Sequence, residues 1–220
     1  KRLAAMLATQ AGNDSALPVL VHSDLEVVSE QNTVIAKSLI NYQGLEIHRN
    51  SFPNLIISNL VTGCTALINE SLAEKALPIP ENAIMHDWWL ALCAAIAGEI
   101  HYLPQATVSY RQHGRNCVGA RNTQLHLGRL LANLPACVGR QTANLAAGIT
   151  QARTLLKRLE QVAVTDNERV KLVREFCQKF ESRQGKLQRI SRVMKLGIRR
   201  QTRLKQLSLL LQLPLVPVLP

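Results

Sequence analysis

The segment that most limits the possible folds is a run of ten apolar residues at positions 88–97, WWLALCAAIA. Its Ala and Leu content and its lack of alternation favour a helix over a strand. Because such a helix has no polar face, other layers of structure must cover it on every side. Asp87 is a preferred N-cap type and Gly98 a preferred terminator, so we predict a buried helix between these two residues.

The start of this helix is also a candidate functional site. His86 and Asp87 place an imidazole and a carboxylate at the end of the helix where its dipole is positive. Trp88 and Trp89, the two tryptophans of the chain, can keep water away from both groups. A structural alternative stays open, in which Asp87 only caps the helix, His86 is a satisfied histidine and both indoles belong to the core.

Charge is distributed unevenly along the 220 residues. Residues 1–120 carry 7 Lys or Arg against 10 Asp or Glu, whereas residues 121–220 carry 19 against 5, which gives the net charge of +11. The hydrophobic content of 47% is enough for a sizeable core. The basic C-terminal half indicates an anionic partner, either a membrane surface or nucleic acid.

Cysteine usage and the first residues bear on the cellular compartment. The five cysteines are widely spaced and form no C-x-x-C pair, so we predict reduced thiols and no zinc site. Lys1 and Arg2 precede a short apolar run that turns polar at Gln10 and has no signal-peptide cleavage pattern. Both features predict a cytoplasmic protein.

Strand patterns flank the predicted helix. Residues 18–28 and 100–110 have the composition of strands, and residues 61–69 form a strand pattern that contains Gly63. A glycine there indicates close approach of a backbone or a ligand, or else a bulge packed in the core. Asp24-Leu25-Glu26 imitates an acidic pair that holds a divalent cation, because two carboxylates one residue apart on a strand can share a hard cation.

Several short motifs stand in a characteristic order. They are Asn59, Thr62-Gly63-Cys64-Thr65, Asn69, Pro78-Ile79-Pro80, His86-Asp87-Trp88-Trp89-Leu90, Gly98, Tyr110-Arg111-Gln112-His113-Gly114, Asn116 and Gly119. This order resembles the C-terminal part of bacterial family 2 glycosyltransferases of the rhamnosyltransferase-like branch. The resemblance implies an α/β fold in which residues 1–120 are the acceptor-side part of a GT-A (Rossmann-like) domain. It also implies that the N-terminal nucleotide-binding half is missing, and that the acidic ligands of a divalent cation, Mg²⁺ or Mn²⁺, would lie upstream of Lys1.

The same resemblance implies roles for individual residues. Asp87 would be the catalytic base that takes the proton from an acceptor hydroxyl in an inverting transfer. The residues implied in substrate binding are His86, Trp88, Trp89, Gly63, Cys64 and Thr65. Arg111 and His113 would bind the diphosphate leaving group, with His113 also a metal ligand, although a solvated basic turn is an alternative for both. The implied donor is a nucleotide-sugar such as dTDP-rhamnose, and the implied acceptor is a cell-surface glycan or its lipid-linked precursor.

Residues 121–220 are predicted to form a helical and basic extension. Helical periodicity covers residues 124–134, 142–164 and 169–180. A basic helix follows, with Lys186, Arg189, Arg192, Lys195, Arg199, Arg200, Arg203 and Lys205. The apolar residues 207–220 are fewer than the ~20 needed to span a bilayer.

A basic helix followed by an apolar tail predicts peripheral binding to anionic lipid on the inner face of the plasma membrane. The alternative is a helical hairpin that packs its leucines on the first domain. A rival function is a non-catalytic basic helical protein that binds membrane or nucleic acid. Because no aromatic residue follows Phe180 and no nucleic-acid-binding motif is present, we do not expect a nucleic-acid partner.

Overall fold

A computed structural model of the protein describes residues 1–12, 16–113, 134–162, 168–181, 186–199, 206–207, 209–210 and 213. The helices are α1 (Arg2–Ala11), α2 (Leu39–Tyr42), α3 (Phe52–Leu55), α4 (Glu70–Ala76), α5 (His86–Ala97), α6 (Leu134–Gln161), α7 (Glu168–Glu181) and α8 (Lys186–Lys195). The strands are β1 (Val19–Val28), β2 (Val34–Ala36), β3 (Ala66–Ile68) and β4 (Glu99–Arg111). The predicted α/β class is confirmed, while the GT-A assignment stays a prediction.

Strand β1 is the centre of a four-stranded mixed sheet. It pairs with β4 in parallel along its whole length and with β2 and β3 in antiparallel fashion. Since a strand has only two edges, β2 and β3 must share the edge opposite β4. Every residue of β1 except Glu26 is buried, as expected of a strand covered on both faces.

Strand β4 extends through Pro104, as the sequence predicted, because the chain bulges there. The register passes from Ser23 opposite Leu103 to Asp24 opposite Ala106, so that Pro104 and the next residue have no partner on β1. Proline lacks a backbone N–H and is tolerated in a strand at such an irregularity. Because β4 is longer than β1, unpaired residues in β4 allow the two strands to stay paired from Val19 opposite Glu99 to Val28 opposite Arg111.

Helix α5 is the buried helix that the sequence predicted. Trp89 and Leu92 have no exposed surface and Ile96 has almost none. The helix begins at His86 with Met85 as N-cap, so the prediction of Asp87 as N-cap is wrong, and this residue lies in the first turn. Aspartate is a preferred N-cap residue, but here the Asp87 carboxylate accepts hydrogen bonds from Asn59 and Gly63 of another segment.

The segment 61–69 is not a single strand as predicted. Residues Gly63–Thr65 form a 3₁₀ turn, and only Ala66–Ile68 are extended, as β3. A hydroxyl bond explains part of this difference, because Thr65 Oγ1 donates to the carbonyl of Thr62 at 2.8 Å. Such local side-chain bonds compete with strand pairing.

The C-terminal helices pack into the same hydrophobic core as α5. Ile149 of α6, Val173 and Phe176 of α7 and the tail residues Leu209 and Leu213 are buried in one cluster with Trp89. Burial of the two tail leucines favours the alternative in which the tail packs on the domain. The domain boundary near residue 120 and most of the helix predicted at 124–134 fall outside the described residues, so the two-domain division stays a prediction.

In the part of the chain that the structure describes, no helix is both long enough and apolar enough to cross a membrane.

Candidate functional site

A cavity of about 420 Å³ lies at the carboxyl ends of the parallel strands β1 and β4, beside the first turn of α5. Leu25 and Tyr110 contribute the strand side of the cavity. Other apolar lining residues are Leu39, Leu45, Leu60, Val61 and Met85, and the polar ones are Gln43, Asn59, Thr62, His86 and Asp87. This end of parallel strands is where α/β proteins commonly bind ligands.

Asp87 lies at the wall of this cavity and is 7% exposed. Its Oδ1 accepts hydrogen bonds from Asn59 Nδ2 at 3.1 Å and from the Trp88 backbone N–H at 2.7 Å. Its Oδ2 accepts one hydrogen bond, from the Gly63 backbone N–H at 2.9 Å. Because a carboxylate has about four acceptor positions, Oδ2 keeps one lone pair for a ligand.

Gly63 is in close contact with the first turn of α5. A β-carbon at this position would lie 2.5 Å from Nε2 of His86 and 3.4 Å from the β-carbon of Asp87. The sequence predicted a close approach at Gly63, and the structure identifies the approaching group as the imidazole of His86. Gly63, His86 and Asp87 are thus brought together.

Cys64 and Thr65 differ in their access to ligands. Cys64 is exposed, and burial of part of its surface, together with the Asp87 charge, raises the pKa of its thiol. It is therefore a thiol rather than a thiolate nucleophile at neutral pH. Thr65 is 1% exposed and does not line the cavity, so the structure gives it a packing role.

The two tryptophans anchor α5 rather than line the cavity. Trp88 Nε1 donates to the Leu55 carbonyl at 2.6 Å, and Trp89 Nε1 donates to the Ala76 carbonyl at 2.8 Å. Trp89 is completely buried and does not line the cavity, so this geometry does not support its implied part in substrate binding. Trp88 is half-buried and packs against the same core, which supports the alternative interpretation of the indoles as core.

Arg111 and His113 lie just beyond Tyr110, at the end of β4, and both are exposed. Arg111 Nε donates to Oδ1 of Asn32 at 3.1 Å. Among the described residues, no group of three His, Cys, Asp or Glu side chains could hold a metal. The implied cation site, whose acidic ligands would lie upstream of Lys1, stays a prediction.

Asp24 belongs to a structural cap, not to a shared acidic pair with Glu26. Its carboxylate accepts hydrogen bonds from the Ser38 hydroxyl, from the Leu39 backbone N–H at 3.1 Å and from the Ile40 backbone N–H at 3.3 Å. These donors form the N-terminus of α2, where a negative charge is favourable. The Leu25 backbone N–H also donates to this carboxylate, at 2.8 Å, so four protein donors occupy its oxygens.

Sequence reasoning overlooked a buried histidine, His22, beside this cap. The His22 ring lies 5.2 Å from the Tyr102 ring, measured between centroids, on the adjacent strand. Burial lowers the pKa of His22 to about 4, against an opposing effect of the Asp24 charge, and burial raises the pKa of Tyr102 to about 12. Only the parallel register of β1 and β4 brings these residues together, and the sequence carries no signal for it.

Two further cavities, of about 360 and 470 Å³, lie at the opposite end of α5. Both are lined by Gly98, Glu99 and Arg169. The guanidinium of Arg169 donates to the carbonyls of Ala95 and Gly98, which end the helix. No residue predicted to be functional lines either cavity.

No known protein family matches the chain, and neither characterised proteins nor solved structures show significant similarity to it.

Proposed function

We propose that this chain carries the acceptor-side part of an inverting glycosyltransferase that transfers a sugar from a nucleotide-sugar to a glycan acceptor. The observation that carries the proposal is the position of Asp87. Its carboxylate lies at the wall of the 420 Å³ cavity and retains an acceptor position on Oδ2. The order of motifs that resembles family 2 glycosyltransferases adds to this support.

In the proposed reaction, an acceptor hydroxyl enters the cavity and donates a hydrogen bond to Asp87 Oδ2. The hydroxyl oxygen forms a bond to the anomeric carbon while the bond from that carbon to the diphosphate breaks on the opposite side. The proton passes to Oδ2, and the electron pair of the broken bond leaves with the diphosphate. A single displacement of this kind inverts the anomeric centre.

The other residues of the site would orient the reactants. The three donors to Asp87 hold its carboxylate in one orientation, so positioning supplies much of the rate. His86 is exposed at the cavity and can hydrogen-bond to an acceptor hydroxyl. Arg111 and His113 would stabilise the negative charge that develops on the diphosphate.

A purely structural role for Asp87 is the main competing explanation, because its carboxylate joins the Asn59–Gly63 segment to α5. Asp87→Asn separates the two roles if stability and activity are measured together. The asparagine side chain replaces one acceptor oxygen by an NH₂ group, so at least one of the N–H donors that bonded to Asp87 loses its acceptor. We therefore expect a loss of about 1–3 kcal/mol in unfolding free energy. At a temperature where the variant is fully folded, the structural role alone predicts activity near that of the wild type.

The test is release of nucleoside diphosphate from a panel of nucleotide-sugars in the presence of bacterial glycan acceptors, by the chain joined to the nucleotide-binding half that the resemblance implies upstream of Lys1. We expect folded Asp87→Asn to be slower by at least about a hundredfold, the usual contribution of a general base. The matched control is Glu81→Gln, which neutralises an exposed carboxylate in the loop before α5 and should keep full activity. A folded and fully active Asp87→Asn protein would contradict the assignment of the base.

A further inference from the structure

The loop between α4 and α5, residues 77–85, lies along helix α6 and is held by three polar side chains. The Gln151 side-chain oxygen accepts a hydrogen bond from the Ile84 backbone N–H at 2.8 Å, and Thr154 Oγ1 accepts one from Asn82 Nδ2 at 2.7 Å. Arg158 donates to the carbonyls of Leu77 at 3.2 Å and Pro78 at 2.8 Å. We call the three side chains Gln151, Thr154 and Arg158 the loop clamp.

The loop clamp is a continuous stripe on one face of α6. Its members are spaced three and four residues apart, and side chains at these intervals lie above one another on a helix. Their partners follow one another in the reverse direction along the loop, from Ile84 to Leu77. The loop is therefore held at both ends and in the middle.

Of the three loop-clamp residues, Gln151 is the one whose presence cannot be explained by packing alone. It has no exposed surface, and its neighbours Ile149, Ala152 and Leu155 are buried apolar residues. Burial of an amide is costly unless all its polar atoms are bonded, and Nε2 of Gln151 has no partner among the described residues. Since a leucine would fill such a site at lower cost, the amide is better explained by the one bond that it makes to the loop.

That bond is close to the candidate site. Ile84 precedes Met85, the N-cap of α5, and Met85 lines the cavity together with His86 and Asp87. The Met85 carbonyl accepts the first helical hydrogen bond, from the Trp89 backbone N–H at 3.0 Å. A shift of the loop at Ile84 would therefore shift the first turn of α5 and the carboxylate that it carries.

We infer that the loop clamp is a positioning element, in which Gln151 sets the orientation of Asp87 through the Ile84 backbone and the first turn of α5. The catalytic part of this statement rests on the proposed function, whereas the positional part does not. The helical extension would then be required for a correctly formed site rather than only for localisation.

The first experiment measures geometry without any turnover. Gln151→Leu removes the acceptor at nearly constant volume, Thr154→Val does the same for the bond to Asn82, and Lys157→Met is an exposed control on α6. Amide hydrogen exchange follows the loop and the first turn of α5. Alkylation of Cys64 follows the adjacent turn, whose Gly63 N–H donates to Asp87.

We expect about tenfold faster exchange across residues 82–87 in Gln151→Leu, together with a changed rate of Cys64 alkylation, because the Ile84 N–H loses its acceptor. Gln151→Glu keeps an acceptor oxygen and should restore part of the protection. Thr154→Val should show a smaller change in the same direction, and it decides the question if Gln151→Leu does not fold. Exchange and alkylation equal to those of the wild type in the folded variants would overturn the inference.

Turnover separates this inference from the proposed function. If the protein is a transferase, folded Gln151→Leu should lower kcat by about tenfold with little change in KM, because the base is misplaced while the binding walls remain. If the wild type, joined to the implied nucleotide-binding half, shows no transfer with any donor, the proposed function fails. The exchange and alkylation results still decide whether the loop clamp positions Asp87.

Discussion

Gly63 and His86 are so close that a single β-carbon on the glycine would lie 2.5 Å from Nε2 of the imidazole. The atom that blocks this space is the end of an exposed side chain, which can rotate into solvent. We therefore expect Gly63→Ala to displace His86 while changing the unfolding free energy by no more than about 1 kcal/mol. NMR signals of the His86 ring and urea denaturation measure the two effects.

A double-mutant cycle provides the control for this prediction. In a His86→Ala background the obstacle is gone, so Gly63→Ala should have almost no further effect on activity or on the alkylation of Cys64. An equal effect of Gly63→Ala in both backgrounds would mean that the alanine acts on something other than His86.

The space beside Gly98 is filled by backbone atoms, which cannot rotate away as the His86 side chain can. Substitution of Gly98 should therefore reduce stability more than substitution of Gly63. A β-carbon there would lie 1.8 Å from the carbonyl oxygen of Pro18, which also accepts a hydrogen bond from the Glu99 N–H. We expect Gly98→Ala to cost about 1–3 kcal/mol or more in unfolding free energy, because α5 must move away from the start of β1. The measurement is the midpoint of urea denaturation.

Gly148→Ala on α6 is the matched control. Among the described residues, its β-carbon would meet the Ile56 carbonyl oxygen alone, at 3.3 Å, and alanine is the better helix former. We expect this variant to be nearly as stable as the wild type or slightly more stable. A Gly98→Ala protein with the same midpoint as Gly148→Ala would contradict the close contact with Pro18.

The sequence predicted a helix or strand correctly where the residues of the segment share one clear property, such as apolar character. Residues 88–97 could be assigned to a buried helix because they are apolar on all sides, and β1 and β4 because of their strand composition. The start of α5 was misplaced because an aspartate suits an N-cap, whereas Asp87 uses its carboxylate to bind the distant Gly63. Propensity contains no information on such a partner.

The site was predictable only in part, for a related reason. The chain neighbours His86 and Asp87 were found together, but the loop clamp was not, because Gln151 lies in a helix where a glutamine ordinarily faces solvent. Its partner is a backbone N–H, which any residue at position 84 would supply. The burial of Trp89 was not predictable either, because it depends on the position of α4, whose Ala76 carbonyl accepts the indole N–H.

The cysteines offer a test of the burial of α5. Cys93 is 2% exposed, and burial raises the pKa of its thiol to about 12, whereas Cys64 is exposed. We expect iodoacetamide at pH 8 to label Cys64 in the native protein and Cys93 only after unfolding, because alkylation requires an accessible thiolate. Cys64 should still react more slowly than free cysteine, since the pKa of its thiol is also raised.

Peptide-resolved mass spectrometry over a time course distinguishes the cysteines. Cys177 is buried and acts as an internal control that should follow Cys93. Labelling of Cys93 at the rate of Cys64 under native conditions would show that α5 is not covered as described.

The buried imidazole of His22 should make the fold sensitive to mild acid. Its pKa is lowered to about 4 by burial, against 6.5 in the unfolded chain, so the unfolded state takes up a proton first as the pH falls. The contribution of His22 to stability is therefore complete above pH 6.5 and is lost progressively towards pH 4. Linkage predicts a decrease of about 2 kcal/mol in unfolding free energy between pH 7 and pH 5 from this residue.

Urea denaturation of the wild type and of His22→Gln at the two pH values isolates this effect. Glutamine has no titrating group, so the variant should lose about 2 kcal/mol less than the wild type over the same interval, whatever its stability at pH 7. His86→Gln is the matched control, because it makes the same substitution at an exposed ring. Equal pH dependence in the wild type and in His22→Gln would mean that His22 has the same pKa in the folded and unfolded states, which contradicts its burial.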